Sequence, residues 1–124
     1  MTTLKNEFYV VRELKRMSDQ QILATIELIP AHDIYKGHFP NQPIVPGVCQ
    51  IQIIKELLEE LMQKKLQLTH GDNIKFTGMI IPDKTPILNI EVNFKLNEAE
   101  INCDAKFSFE ETVFTKFKGK FIAV

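Results

Sequence analysis

Gly37-His38-Phe39-Pro40-Asn41-Gln42-Pro43-Ile44-Val45-Pro46-Gly47-Val48 leads without a break into Cys49-Gln50-Ile51-Gln52-Ile53-Ile54-Lys55-Glu56-Leu57-Leu58, and the reading of the whole chain turns on this join. The first part sets three prolines and two glycines around a single histidine. Proline fixes φ and glycine lets backbone approach a ligand, so the turn is stiffer than a plain connection needs. Beyond it Val48, Ile51, Ile54, Leu57, Leu58, Leu61 and Met62 recur near helical spacing. They predict a helix that begins at Pro46 or Gly47 and runs to Leu66; proline suits a helix start. Its first half is apolar almost all round, which predicts burial. An imidazole on a rigid loop beside a helix N-terminus suits proton transfer on a carbonyl compound.

Outward from the helix, the chain reads as strands. Phe8 to Leu14 alternates, Met17 to Gln20 reads as a turn, and Gln21 to Ile29 alternates again as the return strand of a hairpin. Pro30 to Pro46 is a long loop, too apolar for disorder and long enough to be functional. After the helix, His70-Gly71-Asp72-Asn73 reads as the exit turn, followed by strands near Asn73 to Ile81, Ile87 to Leu96, Ile101 to Glu110 and Thr112 to Ala123. Two strands, one long helix and four strands make an α+β arrangement, with the helix packed on a mostly antiparallel sheet. One helix covers one face of such a sheet, so an edge or face is left for a second copy, most simply in a two-fold dimer.

The 124 residues predict a single domain over 1–124, and a 44% hydrophobic composition is enough for a real core. A net charge of -1 argues against a nucleic-acid partner. The first residues lack the apolar core of a secretory signal, and no apolar run approaches a membrane span. Cys49 and Cys103 share no metal-type spacing and read as reduced, buried small hydrophobes of a cytoplasmic protein, with a disulfide left open. There is no Walker or dinucleotide loop, no HExxH and no CxxC, so no nucleotide, metal or redox cofactor is expected.

The run at residues 37–48 resembles the signature of the hot-dog-fold 3-hydroxyacyl-[acyl-carrier-protein] dehydratases of bacterial fatty-acid synthesis. The helix after it is similar too, as is Ile74-Lys75-Phe76-Thr77-Gly78-Met79-Ile80-Ile81-Pro82-Asp83-Lys84, where the family has a Lys-Phe strand, an apolar stretch and a turn. Val113 to Ala123 stands where the family has its last strand. The resemblance implies a central helix wrapped by a curved antiparallel sheet of about six strands, dimerised so that two sheets run on. It implies two sites at the dimer interface, each a tunnel for an acyl chain carried on the phosphopantetheine of acyl carrier protein. His38 matches the family's acid-base histidine, Phe39 and Pro46 belong to the substrate loop, and the Gly47 and Val48 amides would polarise the thioester carbonyl. The implied activity is reversible dehydration of a 3-hydroxyacyl thioester to the trans-2-enoyl thioester. A non-catalytic acyl-thioester-binding subunit partnering an active dehydratase and a hot-dog thioesterase are the alternatives.

One departure matters. The family's carboxylate stands six residues after the proline of Pro-Gly-Val, and Gln52 holds that position here. The family often has glutamine four residues later, and Glu56 holds that one. The two lie on one helix face, about 5.4 Å of rise apart. Three readings stay open: Glu56 supplies the missing carboxylate; His38 moves the proton alone while Gln52 orients the hydroxyl or a water, at a cost of roughly 10²–10⁴-fold; or the pocket only binds. Against these stand plainer roles: a loop histidine bonded to carbonyls, Gln52 as an interface amide, Glu56 as a solvated helix carboxylate. His32 and His70 read as surface or turn residues, and Tyr35 as loop packing. The phenylalanines from Phe76 to Phe121 read as core or tunnel lining. Lys55, Lys64, Lys65, Lys75 and Lys84 offer a weak positive rim for an acidic carrier protein.

Overall fold

The computed structural model describes residues 3–30 and 43–124. Strands β1 (Tyr9–Ser18) and β2 (Gln21–Leu28) form a hairpin, α1 (Gly47–Met62) follows, and then come β3 (Leu66–Phe76), β4 (Ile87–Asn97), β5 (Glu100–Phe109) and β6 (Thr112–Ala123). All six strands join one antiparallel sheet in the order β1-β2-β4-β5-β6-β3. The sheet curves around the helix, the arrangement of the hot-dog fold.

Strict alternation makes these strands. In β2, Ile22, Ala24, Ile26 and Leu28 face the core, and in β4 Leu88, Ile90, Val92 and Phe94 do the same. Register places Ile26 opposite Leu88 and Ile90 opposite Phe107, so one apolar face runs across the sheet. Against it pack Cys49, Ile53, Ile54, Leu57 and Leu58 of α1. Only Val48 of the helix is exposed: the sheet packs against its inner face, and the segment before β1 meets it at Glu56 and Glu60. The turns at Glu98-Ala99 and Glu110-Glu111 hold their first residues at φ 58° and 53°, as two-residue hairpins require.

The structure corrects the segment after the helix. The helix stops at Met62, with Gln63 in the left-handed region at φ 54° and its amide bonded to the Glu59 carbonyl. The Glu59 carboxylate then accepts the Leu66 amide at 2.8 Å and fixes the start of β3. His70 to Asn73, expected as the exit turn, lies inside β3. Register shifts between Leu68 and His70 and between Gly71 and Asn73 absorb its turn-forming residues as bulges. β1 likewise runs through Met17 to Ser18, so the turn expected over Met17 to Gln20 narrows to Asp19-Gln20.

The bulged crossing of β3 on β6 needs a bare backbone at Gly119. A Cβ there would lie 2.3 Å from the His70 carbonyl oxygen and 2.6 Å from Phe117 Cζ. At Gly71 it would meet, among the described residues, the Ile74 side chain alone, with Cδ1 at 3.2 Å. Gly119→Ala is expected to lower stability by about 1–3 kcal/mol and Gly71→Ala by clearly less. Urea unfolding of both variants checks this, and equal midpoints would show that the bulged strands move apart freely.

Candidate active site at the start of the helix

Pro46 enters α1 in extended geometry, φ -62° and ψ 147°, with no side chain capping the helix. Its carbonyl takes the amides of Cys49 and Gln50 at 3.1 and 3.2 Å. The amides of Gly47 and Val48 have no acceptor among the described residues. They are the free donors that every helix start leaves, and they carry the positive end of the helix dipole. A hollow of about 160 Å³ opens beside them, lined by Val45, Pro46, Gly47, Gln50, Phe76 and Met79 among others. Val48, Phe76 and Met79 remain exposed in the same region. Gly47 is needed for close approach, since a Cβ there would lie 2.6 Å from the Phe76 ring.

Gln50, in the wall of this hollow, belongs to a polar pair that the sequence reading missed. Gln50 is buried, gives its amide nitrogen to the Val45 carbonyl at 3.3 Å, and accepts the hydroxyl of buried Thr115. A glutamine among the inward-facing apolar residues of a helix is the signal that could have found it. Its bonds tie the helix start to the loop before it and to β6.

Gln52 is half-buried, and its amide nitrogen donates to Glu56 at 2.7 Å. Glu56 is 6% exposed, so it is no solvated helix residue. One of its oxygens takes the Leu4 amide at 2.8 Å as well as Gln52. The other takes the Lys5 amide and the Tyr9 hydroxyl, both at 2.9 Å. A carboxylate offers about four lone-pair sites, and four donors from its own chain fill them. Leu4, Lys5 and Tyr9 carry no motif, and nothing in the sequence announces their meeting with Glu56. Burial first, and Glu56 beside it, push the Tyr9 hydroxyl far above the ordinary tyrosine range.

His38 and Phe39 lie outside the described residues, as do His32 and Tyr35. His70 is exposed on edge strand β3. Lys64 and Lys65 follow the C-terminal end of α1, about 24 Å of helix from Gly47. They therefore do not share a rim with the hollow. A larger hollow, about 590 Å³, is lined by polar strand residues such as Asn93, Asp104 and Lys118, with none from α1. Among the described residues no three His, Cys, Asp or Glu side chains gather as metal ligands, and no helix is long and apolar enough to cross a membrane.

Comparison with known proteins places the chain in a family. The ApeI-like family, described as ApeI dehydratase, matches residues 14–118, and the chain belongs to it. The 3-hydroxyacyl-[acyl-carrier-protein] dehydratase FabZ of Oenococcus oeni is 26% identical over 91 residues, 68% of this chain and 66% of that protein. FabZ of Clostridium acetobutylicum is 35% identical over 66 residues, covering 48% of this chain and 47% of its own length. The matched region thus spans less than two thirds of either relative. A chain of the dehydratase heterocomplex ApeI:P from Xenorhabdus doucetiae superposes with a TM-score of 0.74 at 19% identity, covering 91% of this chain and 96% of that one. At that identity the likeness is one of fold.

Cys49 and Cys103 are buried and free, and no disulfide joins them. Burial pushes the Cys49 thiol up to about 11. Burial, with Asp104 adding to it, pushes Cys103 up to about 12. Both folded values exceed the unfolded one, so above about pH 8.5 the unfolded chain releases these protons first and stability falls as pH rises. The native protein is expected to resist Ellman's reagent at pH 8 and to react at two thiols once unfolded. Its urea midpoint is expected to decline from pH 8.5 to 11, less steeply in Cys49→Ala/Cys103→Ala. Equal slopes in the two proteins would contradict the assignment.

Proposed function

We propose that the chain dehydrates a 3-hydroxyacyl thioester, carried on the phosphopantetheine of acyl carrier protein, to the trans-2-enoyl thioester, and runs the reverse hydration. The observation that carries this reading is the helix start: two amides, at Gly47 and Val48, with no acceptor among the described residues and beside an apolar hollow, a few residues after His38-Phe39-Pro40 in the sequence. Removal of the proton α to a thioester puts negative charge on the carbonyl oxygen. Fixed amide donors at a helix N-terminus stabilise that charge without reorganising.

In this reaction the imidazole of His38 takes the α-proton, and the electron pair moves onto the thioester oxygen. The pair then returns to form the C=C bond as the C–O bond breaks. The hydroxyl leaves as water with the proton that His38 had taken. One base moves one proton, so the sum is neutral and no second acid is consumed. Gln52, an amide, cannot exchange protons near neutral pH, but its carbonyl can accept the hydroxyl hydrogen and hold the leaving oxygen toward His38. No metal or redox cofactor enters. The exposed apolar residues at the mouth and the unpaired edge of β3 suit completion of the site by a second hot-dog subunit, in a soluble cytoplasmic dimer.

A second reading is an acyl-thioester-binding subunit that partners an active dehydratase. The amide at position 52 favours it, and so does the heterocomplex in which a protein of like fold is found.

The deciding measurement uses trans-2-butenoyl thioester on phosphopantetheinylated acyl carrier protein and follows loss of the enoyl absorbance. Turnover is expected, with a fall of at least about 10²-fold in His38→Ala. A folded protein that binds the acylated carrier without turnover would overturn the dehydratase in favour of the binding subunit.

A further inference from the structure

Glu56 is buried in the same helix as the proposed site, yet it has no lone pair left to give a substrate. Both oxygens are filled, by the Leu4 and Lys5 amides, the Tyr9 hydroxyl and the Gln52 amide. Three of these four donors lie outside α1, in the N-terminal segment and at the start of β1, so the carboxylate cannot rotate with the helix side chains. Lys5 is itself held by Glu60 at 2.9 Å, which steadies the segment on the helix. A carboxylate only accepts, so the part of Gln52 facing it at 2.7 Å is the NH2 group, and the carbonyl oxygen is turned away. No donor among the described residues meets that oxygen. Gln52 therefore presents a fixed acceptor, unmatched among the described residues, from a half-buried position on the site's own helix.

We propose that Glu56 is the positioning residue of this site: anchored by the N-terminal segment, it holds the Gln52 amide so that the Gln52 carbonyl accepts the substrate's 3-hydroxyl. This rests on the dehydratase reading above. It makes the amide at 52 and the acid at 56 a single device. An acid at 52 would face the Glu56 carboxylate at hydrogen-bond distance, and like charges that close disfavour one another. A glutamine at 56 would give the Leu4 and Lys5 amides, the Tyr9 hydroxyl and Gln52 one oxygen instead of two. Either change alone releases the Gln52 position, through repulsion in the first case and through loss of its acceptor in the second.

The test needs the intact chain and two readouts. The first is the Gln52 side-chain amide in an NMR spectrum of the wild type, assigned by its disappearance in Gln52→Leu. One of its protons is expected to be displaced downfield and slow to exchange, and both features are expected to vanish in Glu56→Gln. The second is steady-state hydration of the trans-2-butenoyl thioester. Glu56→Gln, corrected for its folded fraction, is expected to lose roughly 10- to 100-fold in kcat with KM within about twofold, the pattern of a misplaced group. An ordinary, fast-exchanging Gln52 amide in an active wild type overturns the positioning role and leaves the dehydratase standing. So does a Glu56→Gln variant with unchanged kcat. A held Gln52 amide in a wild type that turns nothing over overturns the dehydratase, while the hold of Glu56 on Gln52 stands.

Discussion

A carboxylate 6% exposed in the middle of an apolar helix is the constraint on which the rest of this structure depends. A buried charge without partners costs far more than a small protein can spare, so Glu56 must be met by donors. The helix has only one to offer, the Gln52 amide. The others come from residues 47 to 52 positions earlier in the chain. The N-terminal segment is thereby drawn down onto the helix, Phe8 and Tyr9 are sealed into the core, and β1 begins where Tyr9 leaves the carboxylate. Packing and polarity act together here. Tyr9 contributes a fully buried ring to the core and a hydroxyl to the charge, and neither could be placed without the other.

The same helix is fixed at its other positions by different means. At its end, Glu59 reaches forward to the first amide of β3, so the turn out of the helix is set by a side chain and not by a glycine. At its start no side chain among the described residues caps the helix. Gln50 bonds to Val45 and Thr115, which locks the first turn from inside the core, while the amides of Gly47 and Val48 meet no acceptor among the described residues. A Ser or Asp cap would have satisfied one of those amides and removed a donor from the hollow. Anchoring the helix from within lets its N-terminus stay open without fraying.

Much of this was legible from the sequence. The apolar recurrence after Pro46 marked the helix start, because proline, glycine and helical spacing agree there. The strand patterns read over residues 21–29, 87–96 and 112–123 marked strands to within a residue, because one face of each is buried. The errors lie where local chemistry and long-range pairing conflict. His70-Gly71-Asp72-Asn73 has the composition of a turn, but β6 supplies a hydrogen-bonding partner along its whole length, and two bulges accommodate what the composition resists. The Glu56 junction was not legible at all. Glu56 sits among Lys55, Glu59 and Glu60, which reads as a polar face, and its partners Leu4, Lys5 and Tyr9 share no spacing with it. The sequence marked Gln52 and Glu56 as a pair only through the exchanged order of acid and amide.

That exchange has a physical logic in this chain. Of two positions one turn apart on a helix, position 56 is the deeper: Glu56 is buried and Gln52 half-buried. The deeper position faces the backbone amides of residues 4 and 5, which are donors only, and so it calls for a group with two accepting oxygens. Glutamine there would set its own NH2 against an amide N–H. Once the acid stands at 56, the neighbour at 52 is held within hydrogen-bond reach of it and is best as a donor toward it, which an amide is and a second carboxylate is not. The polar character of the site is thus decided from below, by how the N-terminal segment is anchored. In the proposed reaction position 52 is thereby left the role of a carbonyl acceptor, and the proton falls to the imidazole of His38.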